Sequence, residues 1–289
     1  MHNNKKIILV GFGTNNLSKS IKRLDIQAKK SKFYDEIKIF SEPDFDKEMM
    51  LLLKELMNRK KKRGFGFWIW KPYFLLEVLK KINYGDIINY VDVGCHIISE
   101  NKKRFNEYLD ILCDEKVWLL PFQYKKDITM LKKDYEYPSR EEYKFTKSDL
   151  LDYYGYFNKK KIIESPQYWA GSFFIKKTDQ SLQFLTQWLD IFYKRFDLVD
   201  DTPSILKDHL DFVENRHDQS VFSILCKKND IKSLSAYECD WAIYQNKRIW
   251  DHTKHSPILA KRDLQYNAFK KFIDRQKKNF RRIKSKFND

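Results

Sequence analysis

The sequence predicts an α/β fold in which helices cover a mainly parallel sheet. Two observations carry this: short apolar runs alternate with segments of helical period, and glycines stand just past the ends of several runs. Lys6 to Val10 reads as a buried strand ending in Gly11-Phe12-Gly13. Leu17 to Lys30 follows as a helix with Leu17, Ile21, Leu24 and Ala28 on one face, capped by Asn15 or Asn16. Glu36 to Phe40 is a second strand, and Asp44 to Asn58 a helix presenting Met49, Leu52, Leu53 and Leu56. Lys71-Pro72 opens a helix through Ile82, with Pro72 suited to its first turn. Asp86 to Val91 is a strand, Lys102 to Cys113 a helix, and Gln123 to Asp149 an excursion of loop and short helix. Ser172 to Lys176 reads as a strand, and Gln180 to Phe196, Asp218 to Lys228 and Asp263 to Phe287 as helices. With no internal repeat and no low-complexity linker, one domain over residues 1–253 and a basic tail over 254–289 account for the chain.

The 289 residues include 56 Lys and Arg against 40 Asp and Glu, a net charge of +16, with 42% apolar and 16% aromatic residues, too apolar for a disordered chain. No run approaches the roughly 18 apolar residues that span a bilayer, and the first residues lack the pattern of a cleaved leader. The four cysteines show neither C-x-x-C nor zinc-finger spacing, which suits reduced thiols in a cytoplasm. Residues 254–289 hold twelve Lys or Arg and three Asp, so +9 of the charge lies in the tail and +7 in the body.

Four segments carry chemistry. Asp86-Ile87-Ile88-Asn89-Tyr90-Val91-Asp92-Val93-Gly94-Cys95-His96 delivers Asp92 to the carboxyl end of a buried strand, where α/β folds bind ligands and where a hard cation could bridge a carboxylate to a diphosphate. An Asp capping the following turn is the plainer explanation. Arg63-Gly64-Phe65-Gly66-Phe67-Trp68-Ile69-Trp70-Lys71-Pro72-Tyr73 places two glycines, several aromatics and Lys71 at a helix start, a combination suited to a sugar phosphate, although Phe65, Phe67 and Trp68 also suit a core. Tyr168-Trp169-Ala170-Gly171-Ser172-Phe173-Phe174 is the third. In the fourth, Asn215-Arg216-His217-Asp218-Gln219-Ser220, a His, an acid and an amide crowd a helix start, more than capping by Asp218 requires.

In this order the segments resemble bacterial glycosyltransferases of the GT-A fold, a Rossmann-like architecture. Those enzymes carry a glycine-bearing first strand, R-G-[YF]-G-[YF]-W-x-W-K-P, [YL]-x-D-x-G-C-x-I, an A-G strand and R-H-D-Q-S; here these read Val10 to Gly13, Arg63 to Pro72, Tyr90 to Ile97, Trp169 to Phe173 and Arg216 to Ser220. The Asp, A-G and H-D-Q blocks are also similar, more loosely, to blocks of the blood-group α-1,3-galactosyl and N-acetylgalactosaminyl transferases. The resemblance implies a UDP-hexose donor, galactose or a related sugar, a glycan or lipid-linked acceptor of bacterial surface polysaccharide, and a divalent metal, Mn2+ or Mg2+. It places Phe12, Gly13 and Thr14 at the nucleotide and Lys71 and Asp92, with Trp70 and Tyr90, at the diphosphate. Trp169, Ala170, Gly171 and Ser172 come to the sugars, and His217, Asp218 and Gln219 to the catalytic side. The usual D-x-D pair is here Asp92-Val93-Gly94, which leaves His96 as the substitute second ligand, and Gln219 stands where the blood-group enzymes have a carboxylate.

The competing class is a nucleic-acid-binding protein, suggested by the charge and the aromatics, but no recognition motif for RNA or DNA occurs. In the tail, Phe269, Phe272, Ile273, Phe280, Ile283 and Phe287 fall near one side of a helix among nine basic residues, the pattern of a helix lying on an anionic membrane surface. The reading is a cytoplasmic enzyme held peripherally at the inner face of the cytoplasmic membrane.

Overall fold

The computed structural model describes residues 5–58, 64–126 and 131–261. The elements are β1 (Ile7–Phe12), α1 (Ser18–Ser31), β2 (Glu36–Phe40), α2 (Lys47–Met57), α3 (Trp70–Lys81), β3 (Ile87–Val91), β4 (His96–Ile97), α4 (Lys102–Cys113) and β5 (Leu119–Gln123). Then come α5 (Glu142–Phe145), α6 (Ser148–Tyr153), α7 (Lys160–Ile163), β6 (Tyr168–Lys176), α8 (Asp179–Lys194), α9 (Asp218–Lys228), β7 (Leu234–Ser235), β8 (Ala242–Tyr244), β9 (Lys247–Ile249) and β10 (Ile258–Leu259). The central sheet has six strands in the order β2-β1-β3-β6-β5-β7, all running one way except β6, which is antiparallel to both neighbours. It is the expected mainly parallel sheet.

Alternation along the strands sorts side chains to two cores. Ile8, Val10 and Phe12 pack with α2, α3, α8 and α9; Leu9 turns to the other face and meets Leu24 and Ala28 of α1. In β6 the alternation breaks. Pro121 of β5 pairs with Phe173 and the next residue, Phe122, with Trp169, so Ala170-Gly171-Ser172 form a bulge on the β5 side. Bulges re-aim backbone groups next to functional sites. A Cβ on Gly171 would sit 2.4 Å from the Trp169 indole nitrogen, so only glycine lets that ring lie across the bulge.

Three expectations need correction. Neither Asn15 nor Asn16 caps α1 with its side chain; the chain enters through a 3-10 turn at Asn15–Leu17, and the Thr14 hydroxyl donates to Asn16 Oδ1 instead. The strand at Ser172 to Lys176 begins four residues earlier, at Tyr168. The body also runs past residue 253: β10 pairs with β4, Ile258 is fully buried and Ala260 N donates to Cys239 O. The helix expected over Asp263 to Phe287 lies outside the described residues.

Candidate active site

Two short helix starts face each other at the carboxyl edge of the sheet. Lys71 lies in the first turn of α3, a position where the helix dipole disfavours a cation, so it requires compensating anions. It has two. Lys71 Nζ is 2.6 Å from Asp218 Oδ2, at the first position of α9, and 3.6 Å from Asp92 Oδ1, just beyond β3. It also donates to Ala170 O on the bulge at 3.0 Å, and its cation lies 5.2 Å from the Tyr90 ring centroid. Burial alone would lower the Lys71 pKa, but the two carboxylates outweigh it and raise it, so the ammonium stays charged. Burial pushes the Asp218 carboxyl up to about 6, with Lys71 pulling the other way.

Asp92 is the accessible member. Its side chain is 26% exposed against 7% for Asp218 and 4% for Lys71. The Tyr90 hydroxyl donates to Asp92 Oδ1 at 2.5 Å, Asp92 N donates to Gly171 O at 2.8 Å, and Cys95 N closes the turn on Asp92 O at 2.8 Å. Arg23 of α1 pins that turn by donating to Val93 O and Cys95 O at 2.8 and 2.9 Å.

The glycine-aromatic block and the helix start of α9 are joined through strained backbone. Gly64, Gly66, Phe67 and Trp68 all have positive φ, as does His217 (φ 52, ψ −116). Non-glycine residues there cost on the order of 1–3 kcal/mol each and persist only where surroundings hold them. Here they hold each other: the Trp68 ring stacks on the His217 ring at 5.3 Å and 21°, with Phe67 edge-on at 5.4 Å. A Cβ on Gly66 would lie 2.2 Å from Leu53, so this turn also fits tightly against α2.

Lys71 directs its donors to Asp218, Asp92 and Ala170, and so holds the two carboxylates together. Phe12 and Trp70 stack on each other at 4.4 Å within an aromatic core that includes Phe45 and Phe74. His217 is buried, its Nδ1 2.6 Å from Val199 O, and clamps Trp68. Gln219 spans two partners, accepting from Ala170 N at 3.4 Å and donating to Gln167 Oε1 at 2.9 Å. Trp169 and Ser172 are buried in the bulge, where Ala170 and Gly171 act through backbone groups. Gly13 N donates to Phe40 O at 3.0 Å, and half-buried Thr14 stands near an open cleft of about 470 Å³ bordered by Asn15, Ile21, Ile37, Ile39 and Ser41. Gln167, which sequence reasoning missed, ties the bulge to α5: its Nε2 lies within hydrogen-bond distance of Glu142 Oε1, Phe145 O and Thr146 Oγ1.

For a metal, the described residues contain no cluster of three ligating side chains. Of His96, the other expected ligand, one ring nitrogen is engaged within the protein. The residue lies on β4, with its Nδ1 3.1 Å from Gln27 Nε2, while Gln27 Oε1 accepts from Ile97 N. What the donor set does fit is a cation held jointly by the single accessible carboxylate of Asp92 and by phosphate oxygens of a ligand, the usual Mg2+ arrangement.

Solved structures similar to the chain include a glycosyltransferase involved in the glycosylation of the major capsid of PBCV-1, at 9% identity and TM-score 0.45, over 93% of this chain and 98% of that one. Others are GlyE of Streptococcus pneumoniae, at 13% and 0.38 over 81% of this chain and 46% of that one, and the galactosyltransferase LgtC, at 11% and 0.38 over 81% and 75%. These are GT-A-type glycosyltransferases. No protein-family model matches the sequence, nor does any curated protein.

Proposed function

We propose that the chain transfers a hexosyl group from a sugar nucleotide, a UDP-sugar in the first instance, to a glycan or lipid-linked acceptor. One observation carries the reading: the sequence blocks converge on a carboxylate pair, accessible Asp92 and enclosed Asp218, bridged by Lys71 at the carboxyl end of β3. That edge is where α/β sheets receive ligands. Asp92 faces the donor diphosphate and would hold the divalent ion with it; when bound, the ion neutralises charge on the leaving group. Lys71 fixes both carboxylates, and Tyr90 and Arg23 fix the turn that carries Asp92. Asp218 takes the acceptor proton: a carboxyl titrating near 6 is ionised at neutral pH and still basic enough to accept it. The cleft near Thr14 accommodates the nucleoside.

No helix among the described residues is long and apolar enough to cross a membrane. We place the enzyme at the cytoplasmic face of a bacterial membrane, held by the basic tail, where lipid-linked acceptors are within reach. Incubation with a panel of nucleotide sugars, scoring donor-dependent hydrolysis and thermal stabilisation, tests the reading. A response to one or a few sugar nucleotides supports it; a response to oligonucleotides and to no sugar nucleotide replaces it with nucleic-acid binding.

A further inference from the structure

Beside the carboxylate pair lies a second cluster that the proposed chemistry does not use. The guanidinium carbon of Arg216 sits 4.0 Å from the Phe145 ring centroid, and that of Arg140 lies 5.9 Å from the same ring. Arg140 is also 4.9 Å from the Tyr124 ring and 5.7 Å from Trp241, whose ring carries Arg248 at 4.1 Å. The order Arg216, Phe145, Arg140, Trp241, Arg248 is a ladder of three cations and two aromatics.

Its guanidinium groups lack close hydrogen-bonded acid partners among the described residues. Among the described residues the Arg140 guanidinium makes no hydrogen bond and no ion pair, and its Nε is buried without an acceptor. Aromatic faces attract the cation but cannot accept its five in-plane N–H groups. Asp240 attracts both arginines electrostatically, but its carboxylate accepts from the Tyr124 hydroxyl at 3.0 Å and from Trp241 N at 2.8 Å rather than from either guanidinium. Glu214 reaches Arg216 only at 4.0 Å. Burial first, then repulsion from Arg140, lowers the Arg216 pKa to about 10, with Tyr124, Glu214 and Asp240 pulling the other way.

The position is informative as well. Arg216 is two residues from Asp218, and Gln219 N donates to Arg216 O at 3.0 Å. Tyr124 follows β5, and β5 lies on the far side of β3 from β1, away from the cleft near Thr14. The ladder therefore flanks the carboxylate pair on the half of the sheet opposite the nucleoside.

We propose that Arg140 and Arg216 form an oxyanion subsite for a phosphate or carboxylate group carried by the acceptor. The planar forks suit bidentate contact with such groups. That the anion belongs to an acceptor rests on the glycosyl-transfer reading; that the pair binds an oxyanion does not.

The first test uses inorganic phosphate, followed by 31P line broadening on the full chain at constant ionic strength, with and without saturating UDP. Phosphate should bind the wild type, about tenfold more weakly to Arg140→Gln, and with unchanged affinity in the presence of UDP. Absence of phosphate binding overturns the subsite, and displacement by UDP reassigns the pair to the donor. Arg140→Lys, which keeps the charge without the fork, guards against a folding artefact: it should bind phosphate at an intermediate strength, and affinity equal to wild type overturns the bidentate site. The second test compares phosphorylated, uronate-bearing and neutral acceptors. Arg140→Gln should raise KM for one charged class and leave kcat and the neutral acceptor unchanged; an equal effect on all three overturns the acceptor assignment. Phosphate binding without response to any sugar nucleotide would preserve the subsite while the proposed activity failed.

Discussion

Replacing Lys71 by Met removes the charge shared by Asp218 and Asp92 while keeping a side chain of similar length. Breaking a buried pair typically costs about 3–5 kcal/mol because the remaining charge loses its partner. Asp218 can escape by taking a proton, and this makes the cost depend on pH in a calculable way. In the wild type its folded value is about 6, above the ordinary 3.8, so its contribution to stability is fully present below 3.8 and is lost as pH rises through 6. In Lys71→Met the carboxyl stays protonated in the folded state throughout pH 5 to 7, while the unfolded chain is ionised over that range. The folded variant therefore holds one extra proton across two pH units, whereas the wild type holds it on average across one. At about 1.4 kcal/mol per unit, the stability gap between the proteins widens by about 1.4 kcal/mol from pH 5 to pH 7. Urea unfolding followed by tryptophan fluorescence at both pH values measures it. A gap that stays constant, or that widens toward pH 5, would refute the Lys71–Asp218 coupling.

Asp92→Asn keeps an acceptor for the Tyr90 hydroxyl, so the protein should fold normally while turnover falls on the order of a hundredfold or more; near-normal turnover would remove Asp92 from the site. Wild-type kcat/KM should fall about tenfold per unit below pH 6 as Asp218 protonates, and Asp218→Asn should lose that limb together with most of its turnover; a limb that survives the substitution assigns it to another group. With one accessible carboxylate, Mn2+ should bind the free protein more weakly than about 0.1 mM and more tightly once UDP is present, by electron paramagnetic resonance; tight binding without nucleotide would reveal further ligands. Full-length protein should sediment with anionic vesicles in a salt-sensitive way and a chain ending at Lys261 should not; equal partitioning would exclude the tail as the attachment.

Where the pattern was long and periodic, the sequence was legible almost to the residue: the helices at Lys102–Cys113 and Asp218–Lys228 and the strand at Glu36–Phe40 have the bounds read from composition. The two-residue strands β4, β7 and β10 carry no period to detect, and each exists only because a distant partner pairs with it. The sequence marks Asp92, Lys71 and Asp218 as candidates and the fold brings them together, but a linear pattern does not say where a side chain points. That Lys71 contacts two carboxylates and that His217 lies against Trp68 follow only from the fold. Arg140 sits in a Lys-, Tyr- and Glu-rich stretch of weak periodicity, and only the folded proximity of Tyr124, Phe145 and Trp241 distinguishes it from its basic neighbours.

The one reversed strand of the six-stranded sheet bears on how the chain folds during synthesis. β6 sits between β3 and β5, yet it leaves the ribosome about forty residues after β5 and nearly eighty after β3. Until it arrives, both of those strands present open edges whose N–H and C=O groups invite pairing with another chain. The bulge that receives Lys71 and tethers Asp92 is part of the same late segment, and Asp218 follows some forty residues later still. No nascent fragment that ends before β6 can therefore assemble the ion cluster. Insertion of β6 closes the exposed edges and builds the bulge beside Lys71 and Asp92 in one step, and open strand edges of this kind are aggregation-prone until they are covered.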